Sequence, residues 1–94
     1  MTTAVVKMRV GSYDDWKPVF DQARELRNKH GGRAHRVLQG VEDPNEITVV
    51  TEWPSREAAR AFLSDPELRE AMQRAGVSGQ PEFWVGDETE SVQY

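Results

Sequence analysis

Ninety-four residues, 37% hydrophobic and 30% charged, make one soluble domain, too short for two independent cores but long enough for two layers of secondary structure. Acidic residues outnumber basic ones by 16 to 12, so no basic stripe is at hand for nucleic acid or for an anionic membrane. Without cysteine there is no disulfide, thiolate nucleophile or Cys-ligated metal, and His30 and His35 alone are too few for a transition-metal site built from protein.

In chain order, the N-terminal MTTAVVKMRV carries no apolar leader segment, because Lys7 and Arg9 interrupt the valines, and nothing later approaches a membrane span. A cytoplasmic protein is expected. Ala4, Val6, Met8 and Val10 alternate with Val5, Lys7 and Arg9, the period-two pattern of a half-buried strand with the first set inward. After GSYDD, where Ser12 or Asp14 can cap, Trp16, Val19, Phe20, Ala23 and Leu26 keep the 3/4 spacing of an amphipathic helix. Pro18 is tolerable in a first turn, which fixes the start nearby, and Gly31 and Gly32 end the helix.

Strands follow over about 33–41 and 47–53, joined by Asp43-Pro44-Asn45-Glu46, whose turn chemistry makes them a hairpin. Ser55 caps a second helix with Ala59, Phe62 and Leu63 on its buried stripe. Asp65-Pro66 reads as a fresh cap with proline in the first turn, so this helix breaks near Ser64 before Leu68, Ala71, Met72 and Ala75. Gly76 and Gly79 stop it, and Pro81 to Val85 reads as the last strand. The core spans about 4–86, and residues 87–94 form an acidic tail, either loose or lying on a partner subunit. The order strand, helix, strand, strand, helix, strand predicts a ferredoxin-like βαββαβ α+β sandwich, a four-stranded antiparallel sheet with its helices on one face. The other face, carrying Val5 and either Val50 or Trp53, is left for a second copy to cover.

No GxGxxG, P-loop, HExxH or nucleophile-elbow pattern occurs, which removes the usual support for dinucleotide, nucleoside-triphosphate, zincin and esterase chemistry. The strand EITVVTEW lacks the aromatic and basic residues of an RNA-recognition module.

The run TEWPSREAARAFLSDPELREAM, with the upstream DPNEITVV and YDDWKPVFD, resembles the dimeric α+β barrel superfamily that includes the antibiotic biosynthesis monooxygenases. It is most similar to short single-domain members, monooxygenase-like or cyclase-like, over roughly Val5 to Val85. The resemblance implies a homodimer in which the open sheet faces pair, and oxidation or cyclisation of a small aromatic, polyketide-like molecule without a cofactor. A non-catalytic ligand-binding or accessory dimerisation protein is the competing class. Haem-degrading members of the superfamily place a tryptophan and an iron-ligating histidine on the second helix and an asparagine on the first strand. The matching positions here are Phe62, Met72 and Met8, so the resemblance argues against haem and implies an apolar pocket instead.

Met8, Trp16, Phe20, Phe62 and Met72 are therefore the candidate pocket residues, with simple core filling as the alternative. His35, the histidine within a strand, is the candidate general base, or else a hydrogen-bonded or interface histidine. Its strand can be phased either way. Tyr13 and Arg36 are candidate donors to a developing oxyanion, although Tyr13 can equally cap the helix entry and Arg36 lies opposite His35. Trp53 is expected to anchor the helix connection or the dimer face, and Trp84 to point toward a partner. Glu52 is a possible partner for Arg9 or Arg36, and His30 for a helix dipole.

Overall fold

Alternation along the first strand sends Ala4, Val6, Met8 and Val10 into the interior, all buried, while Lys7 and Arg9 are exposed. In the computed structural model, which describes all 94 residues, this strand is β1 (Thr2–Val10). It is followed by α1 (Tyr13–Gln22), α2 (Arg24–Lys29), β2 (Ala34–Gln39), β3 (Glu46–Trp53), α3 (Arg56–Ser64), α4 (Pro66–Arg74) and β4 (Val77–Asp87). The strands form one antiparallel sheet in the order β2-β3-β1-β4, with the helices on one face, the expected ferredoxin-like α+β fold. No helix is long and apolar enough to cross a membrane.

The first helix is two helices. Sequence spacing predicts one run to Gly31, but α1 ends at Gln22 and α2 starts at Arg24, with Ala23 as a turn between them. A side chain bridges the break. Arg27 Nη1 donates to the Phe20 carbonyl at 3.0 Å, supplying a partner in the last turn of α1 where the helical ladder runs out. Pro18 also differs from expectation, since it lies inside α1 beyond the first turn. Its missing N–H would have served the Asp14 carbonyl, which is close enough to the exposed helix start for water to serve it.

The β2–β3 turn closes through the Glu46 N–H to the Asp43 carbonyl at 3.0 Å and the Asn45 N–H to Asp43 Oδ1 at 3.0 Å. Gly40 is required beside it, because a Cβ there would stand 2.6 Å from the Asp43 carbonyl oxygen. Val41, expected at the end of β2, is instead fully exposed outside it. Ser55 Oγ accepts from the Ala58 N–H at 3.1 Å and Asp65 Oδ1 from the Glu67 N–H at 2.9 Å, which caps α3 and α4 and places the break where Asp65-Pro66 predicts it.

The last strand begins earlier than Pro81. Gly76, with φ of 81°, does end α4, but Gly79 sits inside β4 with φ of 67°, where the register against β1 shifts between Lys7 and Arg9. That is a bulge, and the positive φ suits glycine there. The tail from Glu88 onward is exposed and without regular structure, tied at its start by the Glu88 N–H donating to the Met1 carbonyl at 3.1 Å.

Trp53 joins β3 to α3 on the helix side, not on the open face that its position at the strand end allowed. Its indole is fully buried, packs tilted against Phe62 with centroids 4.7 Å apart, and donates from Nε1 to Thr51 Oγ1 at 2.7 Å. The Thr51 hydroxyl in turn donates to the Ala4 carbonyl at 3.1 Å, so the one polar atom of the indole is satisfied by a group tied to β1. Pairing puts Arg36, Val50, Val5 and Trp84 in one row across the sheet face that no helix covers.

Candidate functional site

Between the helices and the sheet lies an apolar cavity of about 50 Å³. Met8 reaches it from β1, Trp16 and Phe20 from α1, Phe62 from α3 and Met72 from α4. The structure thus brings together all five residues that spacing and resemblance single out. Helical periodicity is the reason: each lies on the buried stripe of its helix, or on the inward face of β1, and these faces converge.

Two polar side chains complete the wall. Thr51 is committed to the Trp53–Ala4 relay. Arg27 is different. It is 8% exposed, its guanidinium carbon sits 4.0 Å from the centre of the Phe20 ring, and its one side-chain hydrogen bond goes to the Phe20 carbonyl. Burial pushes its pKa down, with Arg24 adding to the shift and Asp21 opposing it, yet a guanidinium stays charged in a protein. Sequence reasoning missed Arg27. The signal was present, since Arg27 continues the Trp16, Phe20, Ala23 stripe, and a charge on an apolar stripe is a candidate for a role beyond solvation.

The cavity wall extends along an aromatic row. Tyr13 and Trp16 centroids are 5.8 Å apart, Trp16 and Phe20 stack at 4.9 Å, and His35 meets the Phe20 ring edge-on at 5.0 Å. Pairing with β3 settles the phase of β2: His35 stands opposite Thr51, on the helix side. Partial burial pushes the His35 imidazole below its ordinary pKa, and Arg27, Lys17 and Arg24 push it further against the pull of Asp21. Both effects favour the neutral imidazole over the imidazolium. His35 does not line the apolar cavity itself. It lines an adjoining surface recess of about 330 Å³ that shares Arg27 and Thr51 with the cavity. Tyr13 is half-buried at the far end of the row, and Arg36 lies on the opposite face of the sheet, away from both spaces.

Other expected pairings fall differently. Glu52 accepts from the Thr3 hydroxyl at 3.0 and 3.1 Å, while Arg9 pairs with Asp43 and, at 3.8 Å, with Glu46. The turn carboxylates lie nearer to Arg9 than Glu52 does, because Glu52 is aligned with Thr3 in the β1–β3 register. His30 contacts a side chain as well as a helix end: its Nε2 lies 2.8 Å from Asp65 Oδ2. No three or more His, Asp or Glu side chains stand together as a metal site.

The family model for antibiotic biosynthesis monooxygenases matches residues 1–74, from β1 to the end of α4. The chain belongs to the antibiotic biosynthesis monooxygenase family. Among solved structures of similar fold is SnoaB, a cofactor-independent oxygenase from Streptomyces nogalater, with a TM-score of 0.78 and 16% identity over 99% of this chain and 97% of that one. The monooxygenase from the ActVA-Orf6 gene of Streptomyces coelicolor, solved with the ligand nanaomycin D, gives a TM-score of 0.73 and 21% identity over 99% and 91%. A conserved protein from Methanosarcina mazei Go1 gives 0.64 and 15% over 94% and 92%. At these identities the likeness shows the fold alone. A comparison with curated proteins finds no match to the sequence.

Proposed function

We propose that this member of the antibiotic biosynthesis monooxygenase family is a cytoplasmic homodimer that takes a small aromatic, polyketide-like phenol and oxidises it with molecular oxygen, using no cofactor. The observation that carries the reading is the cavity walled by Met8, Trp16, Phe20, Phe62 and Met72, with His35 at the end of its aromatic row. The cofactor-independent oxygenase SnoaB and the nanaomycin D complex of the ActVA-Orf6 monooxygenase support it by likeness of fold.

His35 takes the phenol proton and becomes imidazolium. The phenolate then passes one electron to oxygen, leaving a phenoxyl radical and superoxide held side by side by apolar walls that keep water out. Their recombination at a ring carbon forms a C–O bond, and loss of water from the resulting hydroperoxide gives a quinone. One oxygen atom enters the product and the other leaves as water, so a hydroxynaphthalene and oxygen give a naphthoquinone and water without an outside reductant. Tyr13, at the other end of the aromatic row from His35, is a candidate donor to the reduced oxygen species and not to the phenolate. Arg36, on the other sheet face, serves no part of this site within its own subunit.

At about 50 Å³ the cavity is smaller than the ~150 Å³ that holds benzene in an engineered protein core. A naphthol therefore enters only by moving α1 and α2 outward or by repacking Met8 and Met72, whose flexible side chains suit such a change. The small volume favours one other reading, a non-catalytic binding or accessory protein. Oxygen uptake with a dihydroxynaphthalene separates the two. The oxygenase reading expects uptake matched by quinone absorbance, and a loss of turnover in His35→Ala with binding retained. Quinone formation no faster than without protein would leave the non-catalytic reading.

A further inference from the structure

The recess beside the cavity is lined by Arg24, Arg27, Arg33 and His35 and by no acidic residue. This is unexpected in a chain of net charge −4. None of the three arginines takes part in an ion pair, whereas Arg9 and Arg56 each pair with a carboxylate. Of the three, Arg27 is buried and belongs to both spaces, with the apolar cavity on one side and the recess on the other. The Arg27 guanidinium has one carbonyl partner and so has donors left over, and Asp21, the carboxylate that acts on it most, stays beyond ion-pair distance, so a buried cation is left to be matched at close range.

We infer that the ligand is an aromatic carboxylic acid, whose ring enters the apolar cavity and whose carboxylate sits in the recess, facing Arg27 and screened from water by Arg24 and Arg33. The inference rests on the proposed small-molecule function of the same cavity and narrows its substrate class. Geometry sets the shape: a planar fork of donors matches a carboxylate, and the Phe20 ring, held under Arg27 and edge-on to His35, lies at the boundary between the two spaces. After partial burial, the charges of Arg27, Lys17 and Arg24 lower the pKa of His35 against the pull of Asp21, in keeping with the cationic lining of the recess.

The test compares 1-hydroxy-2-naphthoate with 1-naphthol, the same ring without the carboxylate, by tryptophan fluorescence quenching and calorimetry on the intact protein. The acid is expected to bind at least about tenfold tighter at low salt. The advantage should shrink as salt screens the recess. Arg24→Gln and Arg33→Gln, both exposed and so safe for folding, should each weaken the acid by about fivefold and leave naphthol unchanged. Equal affinity for the two compounds, or an acid affinity indifferent to both substitutions, overturns the inference while leaving the cavity reading intact. If neither compound binds, the cavity reading fails with it.

Discussion

Arg27 holds Phe20 at two points, its guanidinium 4.0 Å above the ring and its Nη1 3.0 Å from the carbonyl. The contact sits where α1 gives way to α2, so one side chain both closes a helix end and faces the cavity. Structural and ligand-binding roles can be separated. The Phe20 carbonyl also accepts from the Ala23 N–H at 3.2 Å, so losing Arg27 does not orphan it. Replacing a buried, unpaired cation by an apolar side chain of similar length relieves desolvation. Arg27→Met is therefore expected to stay within about 1.5 kcal/mol of the parent in denaturant unfolding, while losing the preference for an aromatic acid. A loss above about 3 kcal/mol with that preference retained would make Arg27 a structural residue only.

Asp65 carries a different dependence on pH. Its Oδ2 takes the His30 imidazole at 2.8 Å and the Lys29 ammonium at 3.3 Å while Oδ1 caps α4, and these bonds, that from His30 first, hold the carboxyl at about 2. A carboxyl depressed from its ordinary value near ~4 adds stability that is complete above that value and is lost as pH falls through the folded value. Thermal unfolding followed from pH 6 to pH 2 should show a decline below pH 4. Asp65→Asn should flatten that decline. Equal slopes for parent and variant below pH 4 would show that other carboxylates carry the acid sensitivity.

These two residues mark what the sequence makes legible. The α3–α4 break is local chemistry, Asp65-Pro66, and can be read from two letters. The α1–α2 break at Ala23 carries no glycine or proline, so local pattern extends the helix through it. The five cavity residues were visible because apolar stripes announce where they face. Arg27 lay on the same stripe but was passed over because charge is ordinarily read as solvent-facing. His35 could not be phased because β2 is exposed along most of its length, and only the pairing with β3 sets its face. Gly79 looked like a helix stop because a bulge in a strand and a stop before one use the same residue.

The proposed homodimer turns on the row Arg36, Val50, Val5 and Trp84 across the uncovered sheet face, with Trp84 59% exposed. A sheet-to-sheet interface that buries this row should cover at least about 1,200 Å² in total. Light scattering at micromolar concentration is expected to give twice the chain mass of 10.7 kDa. Trp84→Glu, which replaces the most exposed large side chain of the row by a charge, should shift the equilibrium toward monomer. A monomer mass for the parent would remove the dimer.

Haem offers a check on the branch of the superfamily. Phe62 and Met72 take the places where the resemblance to haem-degrading members wants tryptophan and histidine, and the cavity holds no imidazole. Haem added with a reductant under air is expected to keep its Soret band. Stoichiometric binding followed by bleaching of that band would return the protein to that branch.

Phe62 decides between a cavity that admits a ligand and a core with a packing gap. Its ring packs tilted against Trp53 with centroids 4.7 Å apart, and the side chain also lines the cavity. In a filled core, Phe→Ala opens a new void and costs about 3–5 kcal/mol. Here the space joins a cavity that already exists, so the loss should fall at or below the lower end of that range. The enlarged chamber should also take 1-naphthol with a larger thermal shift than the parent shows, because the ligand refills what the ring vacates. If Phe62→Ala fails to fold and no aromatic compound stabilises the parent, the cavity is a packing gap, and a dimerisation module without a ligand becomes the description that fits both results.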